Sequence, residues 1–215
     1  MKKILITRKL IKSSEEFAKK NFEVKLNQKD NILSKDEIIK ESQGCDGILS
    51  SITDKFDSDL ILNLSNTVKI ISNFAVGFGN IDIHVAKKRN IVVTNTPDVL
   101  TDATAEIAML ILLGAARRAK EGFEWASKKN WKWSADFLMG KQLSGGRLGI
   151  LGMGRIGRAV ADRARSFGMK IHYYNRSRLN KNLEKDSVYH KSLESLLSVS
   201  DFFSINCPAT KETKN

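Results

Sequence analysis

Apolar positions in this chain come in short runs separated by charged residues, and their spacing predicts strands alternating with helices. Residues 3–7 form a brief apolar run bounded by basic residues, as in a short strand. Residues 13–20 have helical spacing, and 22–26 predict a second strand. Ser34-Lys35-Asp36-Glu37 is a capping box, with Ser34 as N-cap and Glu37 at the third helical position, opening a helix that runs to about Ser42. Residues 46–50, 68–73 and 91–94 predict three more strands. Such alternation gives a parallel sheet covered by helices, so the expected fold class is α/β. Pro97 breaks the pattern and places a domain boundary near Asp98, dividing the chain into residues 1–98 and 99–215.

Beyond the boundary, residues 101–118 predict one long helix whose centre, residues 107–113, is apolar nearly all round. A helix of that kind is expected to be buried on most sides, between domains or against a partner subunit. All three tryptophans, Trp125, Trp131 and Trp133, follow before Gly145-Gly146, as in an arm that packs against something. Residues 148–151 predict a strand, 155–167 a helix, 170–175 a strand, 193–199 a helix and 201–206 a strand. The longest apolar run, 107–113, is about a third of the ~20 residues a membrane-spanning helix needs, so no membrane partner is expected.

Charge changes this picture little. The formal net charge is +12, but the lysines are scattered, for example at Lys2, Lys20, Lys40, Lys69, Lys88, Lys129 and Lys181. A solvated basic surface accounts for that distribution, and no nucleic-acid partner is expected. The two cysteines, Cys45 and Cys207, lie far apart and match no metal or redox spacing, which suits a reduced, cytoplasmic compartment and no metal site.

The candidate chemistry lies at residues 152–157, which read Gly-Met-Gly-Arg-Ile-Gly between a strand, a helix and a second strand. Here Gly152 permits a tight turn, Gly154 lets a pyrophosphate approach the backbone, and Gly157 lets helix and strand pack closely. The helix N-terminus adds open N–H groups and the positive end of a dipole. An earlier turn, around Gly77 and Gly79, leaves two readings open: bare amides that make an anion nest, or a plain strand-to-helix turn capped by Asn80 or Asp82.

Five motifs occur in order: residues 73–82 (Asn-Phe-Ala-Val-Gly-Phe-Gly-Asn-Ile-Asp), Asn95-Thr96-Pro97, residues 101–106 (Thr-Asp-Ala-Thr-Ala-Glu), residues 151–157 and Cys207-Pro208. Together they resemble the D-isomer-specific 2-hydroxyacid dehydrogenases, and within that family the glyoxylate/hydroxypyruvate reductases. The resemblance implies a flavodoxin-like substrate domain followed by the first half of a Rossmann nucleotide-binding domain, in a chain expected to be a truncated member. It implies that Val76 and Gly77 hold the carboxylate of a small 2-keto or 2-hydroxy acid. The Gly79-Asn80 pair departs from the family, whose members often carry an acidic residue there. For the cofactor it implies Gly152, Gly154, Arg155, Ile156 and Gly157 at the pyrophosphate, and Asn175, Arg176, Ser177 and Arg178 at the adenosine ribose. Cys207 and Pro208 then line the adenine side, with Thr104 and Thr213 as further contacts. A homodimer through residues 101–146 is expected in the full-length form.

Position 175 bears on the choice of cofactor. NAD sites usually place a carboxylate there for the ribose 2′-OH. This chain has Asn175 followed by Arg176 and Arg178, which suits the 2′-phosphate of NADP, with NAD as second choice. Two arginines on the surface turn of a basic protein are the alternative. The family's catalytic Arg, Glu and His would come from segments after residue 215, so no catalytic residue is assigned and little turnover is expected. His84 in a helix, His172 in a strand and His190 in a short polar segment are not placed as proton donors, and Arg117 and Arg118 suit the end of the long helix. A non-catalytic, corepressor-like dinucleotide-binding module is the other functional reading.

Overall fold

Strands β1 (Lys3–Ile6), β2 (Glu23–Leu26), β3 (Gly47–Ser51), β4 (Ile70–Phe74) and β5 (Val92–Thr94) alternate with helices α1 (Lys12–Asn21), α2 (Lys35–Glu41), α3 (Ser58–Asn63) and α4 (Ile83–Lys88). They make up the first of two units, Met1–Val99; the second is Leu100–Asn215. The computed structural model describes residues 1–128, 133–210 and 213, so Trp131 lies outside the described residues. Every strand pairing in the first unit is parallel, in the order β2-β1-β3-β4-β5. This is the flavodoxin-like order, with its switch point between β1 and β3.

Local sequence sets the helix starts. Ser34 Oγ accepts from the Glu37 amide at 3.3 Å, and Glu37 Oε2 accepts from the Ser34 amide at 2.7 Å, completing the capping box. Asp82 caps α4 by accepting from the Val85 amide at 3.1 Å. The sequence pattern does not predict α3, because six residues show too little periodicity; Asp57, which accepts from the Leu60 amide at 3.1 Å, is the signal that marks it. The core of this unit joins Leu5, Ile48 and Ile71 from the strands with Ile38, Leu60 and Ile61 from the helices and Phe56 from a loop, all buried.

The second unit holds α5 (Thr101–Ala116), α6 (Ala119–Ala126), β6 (Arg147–Leu151), α7 (Arg155–Ser166), β7 (Lys170–Tyr174), α8 (Lys181–Glu184), β8 (Val188–His190), α9 (Leu193–Leu197) and β9 (Phe202–Ile205). Its strands are parallel in the order β8-β7-β6-β9. Numbered along the unit, that order is 3-2-1-4, as in the doubly wound nucleotide-binding fold. The α/β architecture expected from the sequence, a flavodoxin-like sheet followed by a Rossmann sheet, is therefore the one observed. Leu148, Ile150, Ile171 and Tyr173 from the sheet pack with Val160, Ala161 and Ala164 of α7 in one core. Among the described residues, no helix is long and apolar enough to cross a membrane.

Two expectations are corrected. Within the single chain helix α5 is not buried on most sides: Ala105, Met109 and Ala116 are covered, whereas Ile107 (55% exposed), Leu110 (64%) and Ile111 (65%) are open, so the expectation of burial inside the chain fails while that of burial against a partner subunit is left open. The helix packs one stripe toward α7, and an all-round apolar surface leaves the remaining face uncovered in this chain. His190 lies on strand β8, not in a polar connection. Three residues are too few for alternation to show, and the strand is fixed by parallel pairing with β7, in which Tyr174 faces His190.

His172 and His190 bring their rings together across that pairing, Nδ1 to Nε2 at 2.9 Å, and His190 Nδ1 lies 2.8 Å from Ser195 Oγ. Burial lowers the His172 pKa; His190, Arg147 and Lys170 lower it further, and Asp201 opposes them. A histidine with a lowered folded-state pKa binds fewer protons folded than unfolded. Its stabilising contribution is therefore complete above the free value of about 6.5 and is lost as pH falls below it. The thermal midpoint is expected to fall between about pH 7 and pH 5, and to fall less in His172→Gln. An equal fall in both proteins would contradict this role.

Candidate functional site

The carboxyl ends of β6, β7 and β9 meet at the loop after Leu151, where the strand order reverses. Gly152 has φ +94°, and a Cβ there would come within 2.6 Å of the Cys207 backbone nitrogen. A Cβ on Gly157 would lie 2.2 Å from the Gly152 carbonyl oxygen. A Cβ on Gly154 would meet nothing within 4 Å. The first and third glycines thus let α7 start hard against the strand ends, while the second leaves open space in front of the helix. The Gly152 amide donates to Tyr174 O at 3.0 Å, which ties the loop to β7.

Gly154 is the N-cap of α7 and has no side chain to cap it. The amides of Ile156 and Gly157 donate to no partner among the described residues. A twelve-residue helix with open amides and open space at its positive end has the features that favour an anion. These residues fit the linked phosphates of a dinucleotide.

The other expected cofactor residues divide into two groups. Asn175 sits beside the loop, its Oδ1 accepting from the Met153 amide at 2.7 Å. That bond fixes the side-chain amide, so Nδ2 is the end left to donate. Arg176 and Ser177 are exposed, and Arg176 makes no side-chain hydrogen bond or ion pair among the described residues. Arg178 is engaged elsewhere. Its Nε and Nη2 reach Glu184 Oε1 and Oε2 at 3.0 and 2.9 Å, and Tyr173 donates its hydroxyl to the same carboxylate at 2.8 Å. Arg178 and then Tyr173 hold the Glu184 carboxyl below its ordinary pKa. Cys207 is partly buried just past β9, with Pro208 exposed beside it, and Thr213 Oγ1 donates to Pro208 O at 2.8 Å. Thr104 is exposed on α5.

In the first unit, the loop after β4 has its carbonyls pinned one after another. Ala75 O accepts from the Thr96 amide at 3.0 Å, Val76 O from Asn95 Nδ2 at 2.8 Å, and Gly77 O from Asn73 Nδ2 at 2.9 Å. In a trans peptide the N–H points opposite to the C=O. The amides of Val76, Gly77 and Phe78 therefore face away from Thr96, Asn95 and Asn73, and none of them has a partner among the described residues. Asn80 does not cap α4. Its Nδ2 donates to Ser51 O and Asp54 O at 3.1 and 2.9 Å, and its backbone oxygen accepts from the Phe56 amide at 2.8 Å. The sequence reading gave no role to Asn73 or Asn95; amide side chains bracketing a glycine-rich turn are the signal that could have found them.

A family model described as D-isomer specific 2-hydroxyacid dehydrogenase, NAD binding domain, matches residues 109–215. The glyoxylate reductase of Thermococcus kodakarensis is 39% identical, with 99% of this chain and 65% of the relative aligned. The glycerate dehydrogenase of Hyphomicrobium methylovorum is 40% identical, with 99% of this chain and 67% of the relative aligned. The structure of D-lactate dehydrogenase from Aquifex aeolicus, complexed with NAD and lactic acid, superimposes with a TM-score of 0.82 at 26% identity, covering 98% of this chain and 62% of that one. The chain spans about 65% of the length of the curated relatives it matches.

The glycine geometry has a direct test. Gly157→Ala is expected to cost about 1–3 kcal/mol in urea denaturation, because the new methyl overlaps the Gly152 carbonyl. Gly154→Ala is expected to stay within about 0.5 kcal/mol of the parent protein. Equal stabilities for the two variants would contradict the packing described.

Proposed function

This chain belongs to the D-isomer specific 2-hydroxyacid dehydrogenase family, and we propose that it carries the coenzyme-binding and carboxylate-holding residues of a reductase acting on glyoxylate or hydroxypyruvate. The observation that carries this reading is the presence of two sets of backbone amides without partners among the described residues, one at the start of α7 and one at residues 76–78, each of which supports an anion. Residues 152–157 take the pyrophosphate, with Gly152, Gly154, Arg155, Ile156 and Gly157 around it. Asn175, Arg176 and Ser177 take the adenosine ribose, Cys207 and Pro208 the adenine side, and Thr104 and Thr213 complete the contacts. When bound, the nicotinamide gives a hydride to a 2-keto carbon or takes one from the 2-hydroxy acid. Val76 and Gly77 hold the substrate carboxylate through their backbone amides, which orients the keto carbon for that transfer. Residues 1–98 act as the substrate domain and 99–215 as part of the nucleotide domain.

NADP is the proposed coenzyme, with NAD as second choice. A carboxylate at position 175 would repel a 2′-phosphate, whereas Asn175 presents an amide donor and Arg176 a guanidinium with no competing partner among the described residues. A second copy of the chain, covering Ile107, Leu110 and Ile111 of α5, is the proposed partner. Unpaired Cys45 and Cys207 suit the cytoplasm.

Turnover also needs a proton for the new alkoxide. His172 and His190 bond to each other and His84 is exposed on α4, so among the described residues no histidine is assigned that task. The 215-residue chain is expected to bind NADPH and to give no appreciable turnover with NADPH and glyoxylate; an ordinary turnover rate would overturn this. By calorimetry, Arg176→Ala is expected to weaken NADPH about tenfold and leave NADH unchanged. Equal losses for both coenzymes would remove the case for NADP.

A further inference from the structure

A cavity of about 210 Å³ lies between α7 and α8, lined by Met153, Arg158, Asp162, Arg165, Leu183 and Lys185 among others. It holds roughly seven times the ~30 Å³ share of one water in the liquid. Its electrostatics are lopsided. Asp162 is the acidic residue of the lining, and it is met by Arg165 Nη1 at 2.8 Å and Lys185 Nζ at 2.6 Å. Arg165 also reaches Asp186, with Nη2 on Ser187 Oγ at 2.6 Å. Arg158 is different: it is half-buried and makes no side-chain hydrogen bond or ion pair among the described residues. A half-buried guanidinium lining a space of this size, with the neighbouring acid already neutralised, is placed to meet an anion.

The cavity adjoins the loop after β6 through Met153. The Met153 amide is the group bonded to Asn175 Oδ1 at 2.7 Å. Arg158 stands one helical turn after Gly154, and helical side chains lean back over the preceding turn. The space in front of Gly154 is open. Arg178 does not line the cavity: its bidentate pair with Glu184, backed by the Tyr173 hydroxyl, engages it at the end of α8. We infer that this cavity seats the 2′-phosphate on the adenosine ribose, and that Arg158 is the residue of α7 that selects for it. The inference rests on the coenzyme site proposed above and assigns to it a charge from the helix rather than from the turn after β7 alone.

The test is calorimetric binding of adenosine 2′,5′-bisphosphate and of AMP, two probes that differ only in the 2′-phosphate. The wild-type protein is expected to prefer the bisphosphate by about tenfold or more. Arg158→Gln is expected to remove most of that preference while AMP affinity holds, and Arg158→Lys to restore part of it. A wild-type preference that survives Arg158→Gln intact would overturn the role of Arg158 and leave the coenzyme proposal standing. Loss of both probes in Arg158→Gln would show a structural role and overturn the inference equally. Equal binding of both probes by the wild type would overturn the NADP assignment and this inference together, and no binding of either would overturn the coenzyme site itself.

Discussion

The second unit depends on one close approach, that of Gly157 to the carbonyl of Gly152, where a single added methyl carbon would stand 2.2 Å from the oxygen. This contact brings the first turn of α7 against the end of β6, and the sheet order then places β7 and β9 on either side. The open amides of Ile156 and Gly157 follow from it, because a helix started so close to a strand end has glycine instead of a capping side chain at its entry. Small Ala161 and Ala164 continue the same economy of volume along the buried face of α7. Packing and the proposed ligand chemistry are thus set by the same residues.

The first unit reaches a similar result by different means. The helix that follows the turn after β4, α4, has only six residues. Instead Asn73, Asn95 and the Thr96 amide take the loop carbonyls, and peptide planarity turns the N–H groups the other way. Asn80 holds the far end of the loop to Ser51 and Asp54, and the Phe56 backbone bonds on both sides of Ile81. A site made of backbone amides does not depend on side-chain identity at Val76 and Phe78, so it is hard to see in the residues themselves.

That difference explains what was legible in the sequence. The glycine turn at 152–157 between β6 and α7 was, because glycine spacing within a strand-turn-helix is a local constraint written in consecutive letters. The capping box at Ser34 and Glu37 was legible for the same reason. The short elements α3, α6, α8 and β8 were not, since periodicity needs more residues than they have, although Asp57 and Asn180 mark two of them as caps. The exposure of Ile107, Leu110 and Ile111 was not legible either: composition shows that a helix is apolar, not how many neighbours it has. The role of Asn73 and Asn95 depends on partners that fold back from elsewhere in the chain. The pairing of Arg178 with Glu184 also lay hidden in letters six apart, and it changes which arginine is free to meet a phosphate.

The central claim is that residues 152–157 wrap the linked phosphates of a nicotinamide coenzyme. The most direct measurement is NMR mapping of backbone amides while NADPH is titrated into the folded protein. The account expects the largest shifts at Ile156 and Gly157, with companion shifts at Asn175 and Arg176. Saturable binding that leaves the amides of residues 152–157 unmoved would contradict it.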